Sequence, residues 1–452
     1  MARDMTQGNI TKHMLVYAVP LMFGNLFQQL YQTVDSIIVG QFNGKEALAS
    51  IGAAGPIMNI LIFLIVGLSM GASILMAEQF GAKNYQTLKE EMSTSVVSGF
   101  LLTVVLSILA FFGSELFIQI TQTPAEIAPM AAEYLKIISI GLIFTFFYNI
   151  LSAGLRAIGD SKAPLYVLLF TTVVHIILAL VLVGNLRMGV YGAAYATVIS
   201  QGISAVILLF YIHRKVPYLR LSFSELHINM TLLKKTIDFS SISALQQTML
   251  YVGRLLVQSG INTLGVDAVA AFNAVSIIDS YVLAPGDSLA SSITTFTAQN
   301  KGGKQYHRIP QGLKTMLLLA EVYTVSIALI VFFNSRSLLG IFLKPKELNA
   351  ISMGMFYILP MSCFYFLSGI TNTFQGYFRG IGNLKITLIA TLIQIPIRVI
   401  LTYSLLSRFG IRSVAIGTAI GWTCMSLYEF IAYRKYGQIQ SLPSPHSTPR
   451  PR

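Results

Sequence analysis

The sequence predicts an all-α polytopic membrane protein with twelve transmembrane helices, arranged as two tandem six-helix bundles. Three observations lead to this prediction: a highly apolar composition, twelve apolar runs of membrane-spanning length, and an internal repeat. The chain has 452 residues, of which 54% are hydrophobic and only 11% are charged. Soluble domains carry roughly 25% charged residues, so most of this chain is expected to face lipid or other helices rather than water.

Each predicted span is an apolar run of about 20 residues or more, which is enough for a helix to cross roughly 30 Å of hydrocarbon. Strands with open edges cannot satisfy their backbone groups in lipid, so the runs are predicted to be helices. The first run is too long for a signal peptide and is expected to be retained. The twelve runs cover approximately residues 14–40, 51–76, 93–113, 134–155, 164–184, 191–212, 239–263, 269–297, 315–335, 350–377, 387–407 and 413–433.

The distribution of Lys and Arg predicts that both termini are cytoplasmic. With the N-terminus inside, the inside segments hold 21 of these residues and the outside loops hold 7. Positive charge accumulates in cytoplasmic loops, so this bias accounts for the net charge of +13. No basic-aromatic cluster accompanies the charge, and we expect no nucleic-acid partner. The expected location is the cell (inner) membrane, crossed many times.

Four short segments recur in the second half of the chain at a nearly constant offset. Gly44–Ala49 recurs at Gly265–Ala270, and Arg156–Lys162 recurs at Arg379–Lys385. The four offsets are 221, 221, 223 and 221 residues. Six spans per half give both halves the same orientation, related by an axis along the membrane normal. The predicted units are an N-terminal lobe (1–212), a cytoplasmic linker (213–237), a C-terminal lobe (238–435) and a disordered tail (436–452).

The first predicted span carries a polar face that leads to an aspartate. An aspartate at the centre of a span costs roughly 2.5–3.5 kcal/mol, so this face is expected to point at protein or water. Pro20 removes a backbone donor and predicts a bend in the same helix. The face consists of residues three and four positions apart: Asn25, Gln28, Gln29, Gln32, Asp35 and Ser36.

Asp35 has two interpretations. It either pairs permanently with a neighbour and pins the bundle, or it binds and releases an ion or a proton, because desolvation disfavours a charged carboxylate. Leu256 stands 221 residues later, so the second half lacks this carboxylate. His175, in the fifth span, is either a packing residue or a proton-linked group. Thr197, in the sixth span, is either a small residue for close helix packing or a member of the same site.

Further polar residues inside spans are candidates for a substrate cavity. Arg156 and Arg379 fall at the cytoplasmic ends of the fourth and tenth spans, where we interpret them as anchors at the membrane surface. Arg254 is a cation inside the seventh span, and its pairing with Asp279 is conceivable. The cavity candidates are Gln28, Gln32, Asn149, Arg254, Asp279 and Asn372.

The sequence contains no recognisable nucleophile elbow, HExxH motif or phosphate-binding loop, so we expect neither an enzyme nor ATP-driven transport by this chain alone. Its two cysteines, Cys363 and Cys424, lie in separate apolar runs, which favours neither a zinc site nor a disulfide. We expect no metal, no cofactor and a monomeric chain in the lipid bilayer.

Five segments of the sequence match a known family in order and spacing: Val34–Gly40, Gln79–Asn84, Arg156–Pro164, Gly192–Ser200 and Ala298–Gly302. Through them the chain, from Pro20 to about Tyr433, resembles the multidrug and toxin extrusion (MATE) family, prokaryotic type. The resemblance implies a V-shaped pair of six-helix lobes that alternates access and exports cationic, amphipathic drugs in exchange for protons or sodium. It also implies a cation site in the first lobe, formed by Asp35 and Thr197 with Tyr134 nearby, and a bend at Pro20.

Two positions depart from the family pattern. The fifth helix of relatives commonly carries Asn and, four residues later, Asp, where this chain has His175 and Ala179. Ser368 occupies a position where some relatives have an acidic residue in the second lobe. Sodium favours several oxygen ligands, whereas a proton needs one base. The departures therefore favour proton coupling through Asp35 with His175 in the relay, and sodium coupling is the alternative.

Two other functions remain open from the sequence. A lipid-linked oligosaccharide or lipid flippase of the same superfamily would need a basic, hydrated central cavity, which Arg254 and Arg398 would favour. A membrane enzyme or receptor without transport activity is the alternative from another class.

Overall fold

A computed structural model describes residues 2–121 and 123–437, without the side chains of Gln32, Ser36, Lys45 and Leu48. Most of the predicted tail at 436–452 therefore lies outside the described residues. Within them the chain is helical and has no strand. The α-helices are α1 (Ile10–Gly81), α2 (Tyr85–Ile120), α3 (Ala128–Ala157), α4 (Lys162–Ala179), α5 (Gly189–Lys215), α6 (Met230–Asn262), α7 (Val266–Gly302), α8 (Arg308–Leu339), α9 (Leu348–Ser362), α10 (Tyr365–Ile381), α11 (Leu384–Phe409) and α12 (Arg412–Ala432).

The described helices provide six spans in each half of the chain. Helix α1 is 72 residues long and contains two spans, separated at Gly44, whose φ of 77° is one that glycine adopts readily. Helices α9 and α10 are bent by 52° relative to each other and form one broken span. Nine helices among the described residues are long and apolar enough to cross a membrane, and the bent pair makes a tenth. The first half of α1 and α6 complete the twelve.

The two halves of the chain touch at the end where α1 turns into α2 and α7 turns into α8, which we call the closed end. A Cβ atom at Gly81 would lie 1.9 Å from the Gln299 carbonyl oxygen, and one at Gly302 would lie 1.9 Å from the Glu78 carbonyl oxygen. Gly81 and Gly302 are related by the repeat, so the same backbone approach occurs twice. Lys301 Nζ also lies 2.9 Å from Glu78 Oε2.

The N-terminal segment adds a second connection between the lobes at the closed end. The Arg3 backbone N–H donates to the Ile158 carbonyl at 2.8 Å in the first lobe. The Met5 backbone N–H donates to Gln299 Oε1 at 2.9 Å, and Arg308 Nη2 donates to the Gly8 carbonyl at 2.9 Å in the second lobe. Met5 is completely buried. Residues 3–8 therefore bridge both lobes.

Further from the closed end, the contacts between the lobes thin out. Tyr17 Oη lies 2.9 Å from Thr295 Oγ1, and Asn25 Nδ2 donates to Ser288 Oγ at 3.0 Å. Within the described part of the chain, no hydrogen bond between the lobes involves residues 26–58. The lobes are thus joined at one end and separate towards the Gly44 turn, which gives the V shape that the resemblance implies.

Candidate functional site

A cavity of about 600 Å³ lies between the lobes. Apolar and aromatic side chains form much of its wall, and amide side chains from α1, α3, α5 and α6 provide polar groups, as is typical of small-molecule sites. Among the described residues, the charged side chains that line it are Asp35, Arg156 and Arg379. The amides that line it are Asn25, Gln28, Asn59, Asn149, Gln201 and Gln247.

The structure brings three of the predicted coupling residues together from three helices of the first lobe. Asp35 on α1 has a side chain that is 17% exposed, and its Oδ1 lies 3.6 Å from His175 Nε2 on α4. Thr197 Oγ1 on α5 lies 3.5 Å from the same nitrogen and donates to the Ala193 carbonyl at 3.1 Å. The imidazole, whose side chain is only 1% exposed, therefore stands between the carboxylate and the hydroxyl.

Two tyrosines complete the surroundings of Asp35. Tyr134, which the resemblance implied, is 3% exposed and lines the cavity. Tyr31 also lines the cavity, and its ring centroid lies 4.2 Å from that of His175. Sequence reasoning missed Tyr31, although it lies four residues before Asp35 and so shares its helix face.

Asp35 lacks a strong partner in this structure. Its Oδ1 is buried and accepts no hydrogen bond from the described residues. Within the described chain, no Lys or Arg forms an ion pair with it, and the imidazole of His175 is its basic neighbour. A buried carboxylate oxygen without a donor is costly when charged, and uptake of a proton relieves that cost. No group of three His, Cys, Asp or Glu side chains among the described residues could hold a metal ion.

The cavity contains some of the predicted substrate residues and not others. Gln28 and Asn149 line it, and the side chain of Gln32 lies outside the described residues. Arg254, Asp279 and Asn372 are not part of its described lining. These three candidates therefore stay predictions, which the described lining of this cavity does not include.

Asp279 belongs instead to a hydrogen-bonded group within the second lobe. Its carboxylate accepts hydrogen bonds from the hydroxyl groups of Tyr365 and, at 3.4 Å, Tyr357. Its conceivable partner Arg254 forms no ion pair with it among the described residues, although the two interact electrostatically. The second lobe therefore holds this carboxylate by phenol groups.

Pro20 lies inside α1 and lines the cavity. Within the described part of α1, the residue with non-helical dihedral angles is Gly44. The helix therefore passes Pro20 without leaving helical geometry in this structure, and a bending role for Pro20 stays a prediction.

Arg156 and Arg379 do not lie where the surface-anchor interpretation places them. Both line the cavity between the lobes, each in the last turn of its helix, α3 or α10. Helix α10 packs directly on α7, because a Cβ at Gly380 would lie 2.7 Å from the Thr294 carbonyl oxygen. This close packing places Arg379 beside the cavity wall formed by Thr294. The sequence position alone gave no indication of which way either side chain points.

The second lobe also contains a buried polar network that sequence reasoning missed. Glu429 on α12 is completely buried, and its Oε1 accepts a hydrogen bond from Gln375 Nε2 at 2.5 Å. Gln246 Nε2 donates to Gln375 Oε1 at 2.7 Å and to Thr391 Oγ1 at 2.9 Å. The network joins α6, α10, α11 and α12, and none of these four residues lines the described cavity.

Comparison with known proteins identifies the chain's relatives. The family model MatE matches residues 20–181 and again 243–404, so each half of the chain carries one copy. The probable multidrug resistance protein YpnP of Bacillus subtilis is 28% identical over 444 residues, which cover 98% of both chains. An FAD transporter of Shewanella oneidensis is 24% identical over 438 residues, which cover 93% of this chain and 95% of the transporter.

Solved structures confirm the fold. A multidrug resistance MATE transporter of the MOP superfamily in an outward-facing conformation superposes with a TM-score of 0.90 at 22% identity, covering 96% of this chain and 97% of that one. The predicted fold class, two bundles of six helices, is therefore confirmed, and a non-transporting enzyme is not supported by these relatives. With two copies of the family domain across most of its length, the chain belongs to the multidrug and toxin extrusion family of membrane transporters.

Proposed function

We propose that the protein is a proton-coupled antiporter that exports cationic, amphipathic small molecules across the cell membrane by alternating access. The observation that carries this proposal is the position of Asp35. This carboxylate faces the cavity, has a buried oxygen without a hydrogen-bond donor among the described residues, and lies beside an imidazole instead of a permanent cation.

The chemistry around Asp35 favours a proton over sodium. Sodium is bound by several oxygen ligands, whereas the near neighbour of Asp35 Oδ1 is a nitrogen at 3.6 Å. His175 can accept a proton from the carboxylate or pass one to it, and its distance to Thr197 Oγ1 of 3.5 Å gives the imidazole a second polar neighbour. Sodium coupling through the same aspartate is the alternative that the experiment below separates.

The charge distribution supports a cytoplasmic closed end. If both termini are cytoplasmic, as the 21 to 7 bias in Lys and Arg predicts, the seal formed by Gly81 and Gly302 faces the cytoplasm and the cavity faces outward. In this state Asp35 takes up a proton from outside. Neutralisation changes the polar packing of α1 and favours release of the bound substrate, because proton and substrate affinities are linked.

Transport in vesicles tests this function. Purified protein in proteoliposomes with an outward-directed ethidium gradient is expected to move protons in the opposite direction, and replacing Na⁺ with choline is expected to leave the rate unchanged. Asp35→Asn is expected to lower exchange by at least about a hundredfold, since the variant cannot change its charge. Asp279→Asn, in the phenol-bonded group of the second lobe, is the matched control and is expected to retain exchange.

Normal exchange by Asp35→Asn would rule out this coupling role. Exchange that strictly requires Na⁺ would show that the coupling ion is sodium and not a proton. The flippase alternative is tested in the same vesicles by following a fluorescent lipid-linked sugar. We expect no movement of this lipid above that of protein-free vesicles.

A further inference from the structure

The end of the cavity nearest the seal is positively charged, in contrast to the end that holds Asp35. Arg156 and Arg379 line this end together with Tyr17, Thr294 and Thr295. Tyr17 joins the two sides, since its hydroxyl lies 2.9 Å from Thr295 Oγ1 and interacts electrostatically with Arg156. We call this group of five residues the arginine floor.

The two arginines are equivalent positions of the duplicated sequence, in Arg156-Ala-Ile-Gly and Arg379-Gly-Ile-Gly. Each lobe therefore contributes one arginine to the lining of the same cavity. The helix dipole favours a cation in the last turn of a helix, so it accounts for an arginine at each of these positions. It does not explain why both arginines line the cavity. A snorkelling role requires the charged head to reach the membrane surface, whereas these two line the inter-lobe cavity.

Within the part of the chain that the structure describes, neither guanidinium contacts a carboxylate. Among the described residues, no Asp or Glu oxygen lies within 4.0 Å of Arg156 or Arg379. Arg379 interacts at longer range with Asp287 and Glu429, and Glu429 is engaged with Gln375. Arg379 Nε is buried and has no hydrogen-bond partner in the described chain. Two guanidinium groups that line a cavity without a contacting carboxylate among the described residues are suited to bind an anion.

We propose that the arginine floor is an anion subsite of the cavity and binds a carboxylate or phosphate group of the exported molecule. The planar guanidinium fork pairs with two oxygens of such a group. The tyrosines and the apolar wall above the floor accept the rest of the molecule. This inference names the substrate chemistry of the proposed transporter and rests on the cavity being the transport site.

Binding at the floor can be measured separately from coupling. Tyr17 and Asp35 are 18 residues apart on α1, which corresponds to about 27 Å along a helix. A ligand anion at the floor is therefore remote from the carboxylate at which we place proton uptake. Two dyes that differ only in the anion are affected alike by proton uptake at Asp35, so the ratio of their affinities, measured at equilibrium in detergent without a gradient, reports on the floor.

The test uses a rhodamine dye with a free benzoate carboxylate and its methyl ester, which keeps the xanthene cation and loses the anion. Fluorescence anisotropy with the full chain in detergent is expected to give a Kd about tenfold lower for the carboxylate dye than for the ester. Arg156→Gln with Arg379→Gln is expected to remove this preference while leaving the affinity for the ester within about twofold. Asp287→Asn, which removes a competing carboxylate near Arg379, is expected to tighten binding of the carboxylate dye.

Arg408→Gln is the matched control, since Arg408 is an exposed cation in the last turn of α11 and does not line the cavity. It is expected to keep the preference for the carboxylate dye. The double variant Arg156→Lys with Arg379→Lys retains both positive charges and is expected to keep part of the preference for the carboxylate dye. This result would show that the double Gln variant loses the preference through loss of charge and not through misfolding. Equal affinity of the wild-type protein for both dyes would overturn the inference, as would a preference that survives the double Gln variant.

Two further results keep this inference distinct from the proposed function. Asp35→Asn is expected to retain the preference for the carboxylate dye even though it loses exchange, so either result can fail without the other. Phosphatidylglycerol added to the micelles is expected not to displace the dye, because its two acyl chains are too bulky for a cavity of about 600 Å³. Displacement by that lipid would overturn the assignment to an exported amphiphile and give the floor to a lipid phosphate.

Discussion

The two lobes share a fold and a seal but differ in where they place a carboxylate. At the closed end, Gly81 and Gly302 make the same backbone approach to the opposite lobe. At the cavity, the first lobe presents Asp35, whereas Leu256 occupies the corresponding position of the second lobe. Each lobe also buries a glutamate, Glu91 in the first and Glu429 in the second, but neither lines the cavity. The comparison indicates that duplication preserved the seal between the lobes and that the proposed ion chemistry belongs to one copy.

The largest effect is expected from the symmetric seal. Gly81→Ala or Gly302→Ala places a methyl group 1.9 Å from a backbone oxygen of the other lobe. Overpacking of this kind costs about 2 kcal/mol, or roughly thirtyfold in the population of the sealed state. The opening is measured with a cysteine that replaces the buried Ala157 in a background without Cys363 and Cys424. This cysteine is expected to react correspondingly faster with a water-soluble maleimide in either alanine variant than in the protein that keeps both glycines.

The seal prediction has a control on the same helix. A Cβ at Gly52 would meet no atom of the described residues within 4 Å, so Gly52→Ala is expected to leave the labelling rate unchanged. If Gly81→Ala accelerates labelling and Gly302→Ala does not, the two glycines do not contribute equally to the seal. The equivalence of the two lobes at the closed end would then be wrong.

A smaller effect is expected from the imidazole beside Asp35. His175→Gln removes the basic neighbour that lies 3.6 Å from the carboxylate and keeps a polar side chain. Proton-coupled ethidium exchange is expected to fall about tenfold, less than the roughly 10²–10⁴-fold contribution of a general acid or base, because Asp35 itself still takes up the proton. His213→Gln, at an exposed position in the last turn of α5, is the control. Unchanged exchange by His175→Gln would return this residue to a packing role.

Glu429 is expected to affect stability instead of coupling. Glu429→Ala leaves Gln375 Nε2 without its buried acceptor, which costs about 1–3 kcal/mol. The Tm is expected to fall by a few degrees, measured by thermal unfolding in detergent. Glu429→Gln retains an oxygen acceptor and is expected to lose less. Loss of proton coupling by Glu429→Gln at an unchanged Tm would contradict the asymmetry of the two lobes.

The smallest effect is expected in the linker between the lobes. Glu225 forms an ion pair with Lys89 and accepts hydrogen bonds from Ser222, and these contacts lower its pKa to about 2. Because the pKa of Glu225 is lower in the folded protein, its contacts stabilise the fold at pH values above the ordinary Glu pKa. This stabilisation is lost as the pH falls towards about 2. Glu225 is exposed, so Glu225→Gln is expected to change the Tm by about 1 °C or less at pH 7. A difference that grows as the pH falls would contradict this sign.

Hydropathy and the repeat were sufficient to predict the fold. Apolar runs of spanning length identify helices because lipid admits little else, and the constant offset between Gly44 and Gly265 identifies the duplication. The grouping of Asp35, His175 and Thr197 was also predictable, since the resemblance to a family placed them at one site. The periodicity of α1 alone shows which residues share a face, but not which helix that face meets.

The direction of side chains at helix ends was not predictable. Arg156 and Arg379 follow the sequence pattern of surface anchors, and only the docking of the two lobes turns them towards a common cavity. Glu429 was missed because a single carboxylate near the end of an apolar run is usually solvated. Its burial depends on Gln246 and Gln375, which come from helices distant in the sequence.

Exchange of a proton for substrate at Asp35 is measured by the number of protons released when ethidium is added to the full chain in weakly buffered detergent solution. At a pH at which the free Asp35 carboxyl is protonated, we expect about one proton per bound ethidium for the wild-type protein and for Glu429→Gln, and none for Asp35→Asn. Undiminished proton release by Asp35→Asn, with ethidium still bound, would contradict it.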